Sequence, residues 1–206
     1  VNQNWLPRAL EESRARGFLG PGDFSPHITQ AELFLTAWEE VSLIPPARWM
    51  DMGSGGGIPG LVLATVWASG GVLSDSMEKR TRFLAEVSEW AEAPSYRVET
   101  GRMEELARRE DLEATFNLVV ARLFGPPAVT AECAVRFLKV GGVLLVSEPP
   151  ESDGSRWNQE GLEKLGLELS LLNFPTGSIA YFKKVADTPP SYPRPNGAPG
   201  RKPLWR

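Results

Sequence analysis

The stretch Asp51-Met52-Gly53-Ser54-Gly55-Gly56-Gly57-Ile58-Pro59-Gly60 lies between a short apolar run, Trp49-Met50, and Leu61-Val62-Leu63-Ala64-Thr65-Val66-Trp67, whose composition suits a helix. Glycines crowded between a strand and a helix mark a tight turn that a ligand approaches closely, because a Cβ there would collide with it. The alternative is a glycine-rich surface loop that holds nothing.

Two cofactors compete for such a loop. Read from Gly55, the string Gly55-x-Gly57-x-x-Gly60 satisfies the dinucleotide fingerprint, which alone is a weak signal. Read from Asp51, it is Asp-x-Gly-x-Gly-x-Gly, which resembles the S-adenosylmethionine loop of Rossmann-like methyltransferases. A dinucleotide brings a pyrophosphate, which favours a helix N-terminus and no nearby carboxylate. S-adenosylmethionine brings a sulfonium and an ammonium group, so a carboxylate at the strand end is useful. Asp51 therefore favours S-adenosylmethionine.

With 206 residues, 42% of them hydrophobic and 23% charged, the chain is long enough for one substantial core. No apolar run approaches the roughly 20 residues of a membrane-spanning helix. The N-terminus has no basic-then-apolar leader pattern, so a cytoplasmic setting is expected. Cys133, the only cysteine, leaves no internal disulfide and no cysteine-based zinc site, and no metal is expected. The net charge of −4 argues against a protein that coats nucleic acid, while leaving room for a local basic patch.

Residues 6–16 read as a helix ended by Gly17, followed by a loop through Ser25-Pro26. Thr29-Gln30-Ala31-Glu32 has the capping-box pattern, and Ala31, Phe34, Leu35, Trp38 and Val41 recur at helical spacing. His27, the only histidine, stands at that helix's entrance and reads as a capping or surface residue. Strands are expected at 49–51, 72–74, 96–99, 117–121, 143–146, 167–171 and 179–184. Helices between them include 128–139 and 155–165. The alternation predicts a mostly parallel sheet covered by helices on both faces. Only about seven residues, 172–178, join the last two strands, too few for a parallel crossover, so the last strand runs antiparallel. Asp75 closes the second strand 24 residues after Asp51, close to the ~20 at which an acid meets a cofactor ribose. A helix N-cap is its alternative role.

Past Asp187 six prolines lie between Pro189 and Pro203, alongside Arg194, Arg201, Lys202 and Arg206 and no acid. Such a segment reads as extended rather than packed, either a solvated tail or a basic arm contacting phosphates.

With these residues laid out, the chain resembles the bacterial small-subunit (16S) ribosomal RNA guanine-N7 methyltransferase family, the GidB family, as a divergent branch. The resemblance covers about residues 48–146 plus the tail. It rests on the glycine loop with its Ile58-Pro59-Gly60 ending, on Asp75-Ser76 with Lys79-Arg80 and Phe83-Leu84, and on Ala121-Arg122. Tyr192-Pro193-Arg194, Gly197, Pro199 and Lys202-Pro203-Leu204 are similar to the tail of many members. Gly20 to Thr29 stands where the family carries a Trp-Asn…Asn-Leu-Thr signature, and Ser147-Glu148-Pro149-Pro150 and Arg156-Trp157 are not general family features.

The resemblance implies a Rossmann-like class I S-adenosylmethionine-dependent methyltransferase with a seven-stranded sheet. A helical extension (1–44), the methyltransferase domain (45–186) and a Pro-rich basic tail (187–206) would compose it. It implies cofactor contacts at Asp51, Gly53, Gly55, Gly57, Ile58, Asp75, Met103, Glu104 and Arg122, with the 102–104 turn holding the adenine. The substrate would be small-subunit ribosomal RNA, naked or in the assembling subunit, and a monomer with no membrane attachment is expected.

Guanine N7 is a lone-pair acceptor, so its methylation removes no proton and needs no general base. Positioning supplies most of the acceleration. Arg122, the candidate catalytic residue, follows the fourth strand, where a guanidinium can hold guanine O6 or a phosphate; a structural salt bridge is its alternative. Glu148 is a candidate to steady the cationic product base. The Asp/Asn-Pro-Pro-aromatic motif of amino-group methyltransferases is not reproduced by Phe124-Gly125-Pro126-Pro127, and Glu148-Pro149-Pro150 follows the wrong strand. Competing readings are a small-molecule methyltransferase, a non-catalytic ribosome- or partner-binding module, and a nicotinamide-dependent oxidoreductase, which Asp51 and the reversed last strand oppose.

Overall fold

The computed structural model describes residues 5–68, 70–149 and 152–206. Its centre is one seven-stranded sheet in the order β3-β2-β1-β4-β5-β7-β6. The strands are β1 (Trp49–Met52), β2 (Gly71–Asp75), β3 (Arg97–Thr100), β4 (Phe116–Ala121), β5 (Leu138–Glu148), β6 (Leu167–Phe174) and β7 (Gly177–Lys184). From β3 to β5 all neighbours pair in parallel, whereas β7 runs antiparallel to both β5 and β6. The reversed last strand expected from the short connection is therefore present. The connection is shorter still, because Phe174 pairs with Gly177 and the two strands run to the turn.

Alternate residues of the central strands feed two cores. Met50, Met52, Val119, Ala121, Leu144 and Val146 face one side. Trp49, Leu118, Val120, Val143 and Leu145 face the other. Burial on both faces is why these strands read as continuous apolar runs. On the Trp49 side lie α1 (Trp5–Ala15), α2 (Ser25–Glu39), α3 (Gly60–Val66) and α4 (Glu78–Ser88). On the Met50 side lie α5 (Met103–Leu106), α6 (Pro127–Val135) and α7 (Gln159–Leu165). The last helical turn, α8 (Ala198–Arg201), packs on α6. Leu33 and Phe34 of α2 are buried, which contributes roughly 1.5–3 kcal/mol each.

Three expectations change. The capping box at Thr29 is interior: α2 starts at Ser25 with Pro26 in its first turn, where a missing N–H costs nothing. The helix expected at 128–139 stops at Val135. Phe137 and Leu138 are fully buried beyond it, and Leu138 already pairs with Phe116 in the sheet. Buried Lys184 donates its ammonium to the carbonyls of Val135 (3.2 Å) and Leu138 (2.7 Å), closing that helix end with a cation. The helix expected at 155–165 begins at Gln159, where the Asn158 side chain caps the Gly161 N–H at 2.8 Å.

The tail differs most from expectation, because it is packed. Tyr192, Leu204 and Trp205 lie against the Met50-side core, and a Cβ at Gly161 would collide with the Trp205 ring. Tyr192, Pro193 and Arg194 are tied to Arg136, Arg108 and Glu132 of the body.

Candidate active site

The strand order reverses between β1 and β4, so their carboxyl ends open the crevice that open α/β sheets use for ligands. The glycine loop leaves β1 there and is laced to β2. Gly53 and Ser54 N–H groups donate to the Ser74 carbonyl at 2.9 and 2.8 Å. The Ser74 hydroxyl donates to the Asp51 carbonyl at 3.0 Å, and the Ser54 hydroxyl accepts from Ser74 N–H at 3.0 Å. From outside, the Ser13 hydroxyl of α1 donates to the Gly56 carbonyl at 2.8 Å, so the N-terminal helix braces the loop.

The two strand-end carboxylates take different places. Asp51 is 0% exposed, and its Oδ2 accepts from Gly60 N–H at 2.9 Å. It shares strand parity with Trp49, so it emerges under the start of α3 instead of facing the crevice. Its Oδ1 is buried with no hydrogen-bond partner. Burial pushes the carboxyl from 3.8 up to about 7, opposed by hydrogen bonding from Ser54 and Gly60 and by the Arg122 charge. Only glycine fits at position 60, where a Cβ would lie 2.5 Å from Asp51 Oδ2.

Asp75, by contrast, stands at the crevice. Its Oδ2 accepts from Gly55 N–H at 2.9 Å, its Oδ1 from Met77 N–H at 2.8 Å, and Arg80 approaches at 3.4 Å. Gly55 thus directs its N–H to Asp75, and the carboxylate holds the loop at the wall of the cleft.

A cleft of about 550 Å³ covers this region. Gly53, Asp75, Met103 and Glu104 line it together, with Phe124, Val129 and Cys133 opposite. Asp51, Gly55, Gly57 and Ile58 are not among its lining residues: Ile58 packs with Leu10, Ala31 and Val62 beneath the N-terminal helices. A second pocket of about 290 Å³ adjoins it, lined by Arg122, Ser147, Glu148, Arg156 and Gln30 among others. Leu123, Phe124 and Gly125 line both cavities and form the seam between them. Leu123 holds the left-handed conformation at φ 53° and is 84% exposed, a strained turn of the kind found at binding sites.

Arg122 lines the second pocket. Its Nη2 contacts His27 Nδ1 at 3.0 Å and donates to Gln30 Oε1 at 2.9 Å. Since a guanidinium only donates, His27 accepts through Nδ1 as a neutral imidazole. Desolvation lowers the Arg122 pKa, opposed by the Asp51 charge. From sequence, His27 reads as a capping or surface residue and Gln30 as part of a capping box; their contact with Arg122 is the new finding, and their spacing of three on one helix face was its available signal. Glu148 accepts from Trp157 Nε1 at 3.1 Å and from the Ser152 hydroxyl, so its side chain is fixed at the pocket wall. Pro149 lines the same pocket, and Pro150 of that segment lies outside the described residues.

A sheet of this order with β7 reversed, a glycine loop at the switch point and a cleft over the strand ends define a Rossmann-like class I methyltransferase. The chain belongs to the GidB family, rRNA small subunit methyltransferase G, which matches residues 27–157. The ribosomal RNA small subunit methyltransferase G of Lachnoclostridium phytofermentans is 34% identical over 166 residues, 76% of this chain and 69% of that protein. Among solved structures, the 16S rRNA N2 methyltransferase of T. thermophilus, in complex with AdoMet and guanosine, superposes with a TM-score of 0.54. That match has 16% identity over 80% of this chain and 40% of that one. A mutant of MtNAS in complex with S-adenosylmethionine gives 0.63, with 12% identity over 90% of this chain and 77% of that one. At such identities the structural likeness is one of fold.

S-adenosylmethionine is the cofactor of this methyltransferase, and the residues present suit it. The cleft has a carboxylate, Asp75, at the β2 end and an apolar side, Val129 and Cys133, against which a purine can lie. A glycine, Gly53, stands where the β1 end comes closest. Among the described residues no group of three or more His, Cys, Asp or Glu side chains is arranged to hold a metal ion. No helix among them is long and apolar enough to cross a membrane.

Proposed function

We propose that this enzyme methylates N7 of a guanine in small-subunit ribosomal RNA, acting as a cytoplasmic monomer on naked RNA or on the assembling subunit. The observation that carries this reading is the pair of cavities joined at Leu123-Phe124-Gly125, one suited to the cofactor and the other holding Arg122 and Glu148. S-adenosylmethionine supplies the methyl group on its sulfonium.

The chain's own residues then have three tasks. Gly53, Asp75, Met103 and Glu104 bind the cofactor in the larger cleft. Gly55, Gly57 and Ile58 shape the loop, and Asp51 braces it from beneath through Gly60. Arg122, oriented by His27 and Gln30, donates to guanine O6 and leaves N7 free toward the seam; this is its catalytic role. In-line transfer requires reacting atoms about 3–3.5 Å apart, so a rigid seam between two cavities is the main catalytic device. No proton is removed before attack, which agrees with a site whose one histidine is engaged by an arginine instead of a carboxylate. After transfer the base is cationic, and Glu148 offers the compensating charge.

Residues 45–186 form the catalytic domain in this reading, while 1–44 supplies the His27–Gln30 support and 187–206 is an appended segment. The test is primer extension after N7-specific cleavage of ribosomal RNA from a strain lacking the gene. Loss of one stop in the small-subunit RNA is expected. An unchanged pattern would overturn the RNA substrate and leave a small-molecule methyltransferase as the reading.

A further inference from the structure

The basic, proline-rich tail does not project into solvent. Arg194 engages buried Glu132 through its backbone N–H (2.8 Å), Nε (2.9 Å) and Nη2 (2.6 Å). Arg108 donates to the Pro193 carbonyl at 2.7 Å, and Arg136 donates to the carbonyls of Tyr192 and Pro189. Body arginines thus grip the tail by its carbonyls, while the tail's own Arg194 is occupied by an acid of α6.

Beyond this grip the chain turns toward the larger cleft. Asn196 accepts from Arg102 Nε at 3.1 Å and donates to Glu105 at 3.0 Å. Gly197 N–H donates to Glu104 Oε1 at 2.9 Å. Then Gly197, Gly200 and Arg201 form one wall of the cleft, facing the region of Met103, Glu104, Val129 and Cys133. Leu204 and Trp205 anchor the far side on the core. The segment is therefore pinned at both ends, with its middle against the cleft where β2 and β3 end.

We propose that Arg194–Arg201 is a cofactor-binding element, whose Gly200 and Arg201 contact the adenosine moiety of S-adenosylmethionine. The inference rests on reading the larger cleft as the cofactor site. Asp75 lines the cleft at the β2 end, where an acid in this fold meets a cofactor ribose, so the nucleoside half of the ligand would lie at this side. A guanidinium such as that of Arg201 stacks well on a purine face, being planar and weakly hydrated. Because Glu104 is tied to Gly197, movement of the tail also moves the acid that borders the adenine region. Tail docking and cofactor binding consequently reinforce each other.

Gly200 provides a test, since a Cβ there meets nothing within 4 Å and a side chain can be added without a clash at its root. Binding of S-adenosylhomocysteine to full-length protein is measured by isothermal titration for wild type, Gly200→Trp and Arg201→Ala. Gly200→Trp should raise Kd by about tenfold or more and Arg201→Ala by about fivefold. Melting temperatures of the free proteins should match. Amide hydrogen exchange at 196–202 should slow when the ligand is added. Affinities within about twofold of wild type for both Gly200→Trp and Arg201→Ala overturn the proposal while leaving the cofactor assignment intact. So does unchanged exchange. Failure of the wild type to bind would instead overturn the reading on which the proposal stands.

Discussion

Arg122 Nη2 meets His27 Nδ1 at 3.0 Å across 95 residues of sequence. The contact joins the end of β4 to the first turn of α2, and Gln30, one turn further on, holds the same nitrogen. An arginine held by two acceptors loses less freedom when it meets a substrate, so in the proposed reading α2 acts on the reaction through Arg122, while α1 reaches the glycine loop through Ser13.

Removing that support should therefore affect the RNA and spare the cofactor. His27→Ala is expected to lower kcat/KM by about tenfold with S-adenosylhomocysteine affinity within about twofold. His27→Asn, whose amide oxygen can accept in place of Nδ1, should recover most of the loss. Methyl-transfer kinetics beside isothermal titration would check this, and equal losses in both measurements would count against it.

Asp51 makes stability depend on pH in an identifiable direction. Its carboxyl is raised from 3.8 to about 7 in the folded protein by burial, so the folded state holds a proton that the unfolded chain releases. The associated stability is full below pH ~4 and is lost as pH rises through about 7, on the order of 4 kcal/mol. Asp51→Asn stays neutral and accepts from Gly60 in the same way. The difference in unfolding free energy between this variant and wild type should grow in the variant's favour from pH 4 to 8. Parallel curves would show that Asp51 is ionised throughout.

Gly53 sits at φ 78° with a would-be Cβ 2.6 Å from the Phe124 ring. Gly53→Ala strains the backbone and pushes Phe124, a wall of both cavities. We expect a loss of about 1–3 kcal/mol in stability and a cofactor affinity reduced more than tenfold, on the order of 1.4 kcal/mol or above. Urea unfolding and titration calorimetry would measure the two effects. Retained affinity would mean that Phe124 relaxes freely.

Glu132 is 0% exposed and its carboxylate accepts from Arg194, whose pKa is raised chiefly by that hydrogen bond. Arg194→Ala leaves a buried carboxylate without its partner, and a destabilisation of about 3 kcal/mol is expected. The paired change Glu132→Gln with Arg194→Met should recover much of it. An Arg194→Ala protein as stable as wild type in denaturant would show that the tail is dispensable for folding.

Periodicity and loop chemistry carried most of the fold. The parallel β1–β5 sheet followed from alternating strands and helices, and the reversed β7 followed from a connection too short to cross over. The end of α6 was not legible: Ala128 to Lys139 continues a helical pattern, and only the burial of Phe137 and Leu138 beside Phe116 converts its last residues into strand. The place of Asp51 was not legible for a related reason. Its chemistry suits the cofactor, but its parity with Trp49 places it under α3, and a motif read as a string carries no parity.

By itself, the amino-acid order determined that a glycine loop joins β1 to α3, that Asp75 closes β2, and that one strand is reversed. These are local matters of backbone sterics, period and connection length. Tertiary structure alone decided which residues share the cleft. His27, Gln30 and Arg122 meet because α2 packs across the sheet, and residues 194–201 reach the cleft because acids and carbonyls of distant segments pair with arginines along the way. Such contacts depend on where elements stack, and a proline-rich basic stretch has the same composition whether it waves in solvent or walls a site.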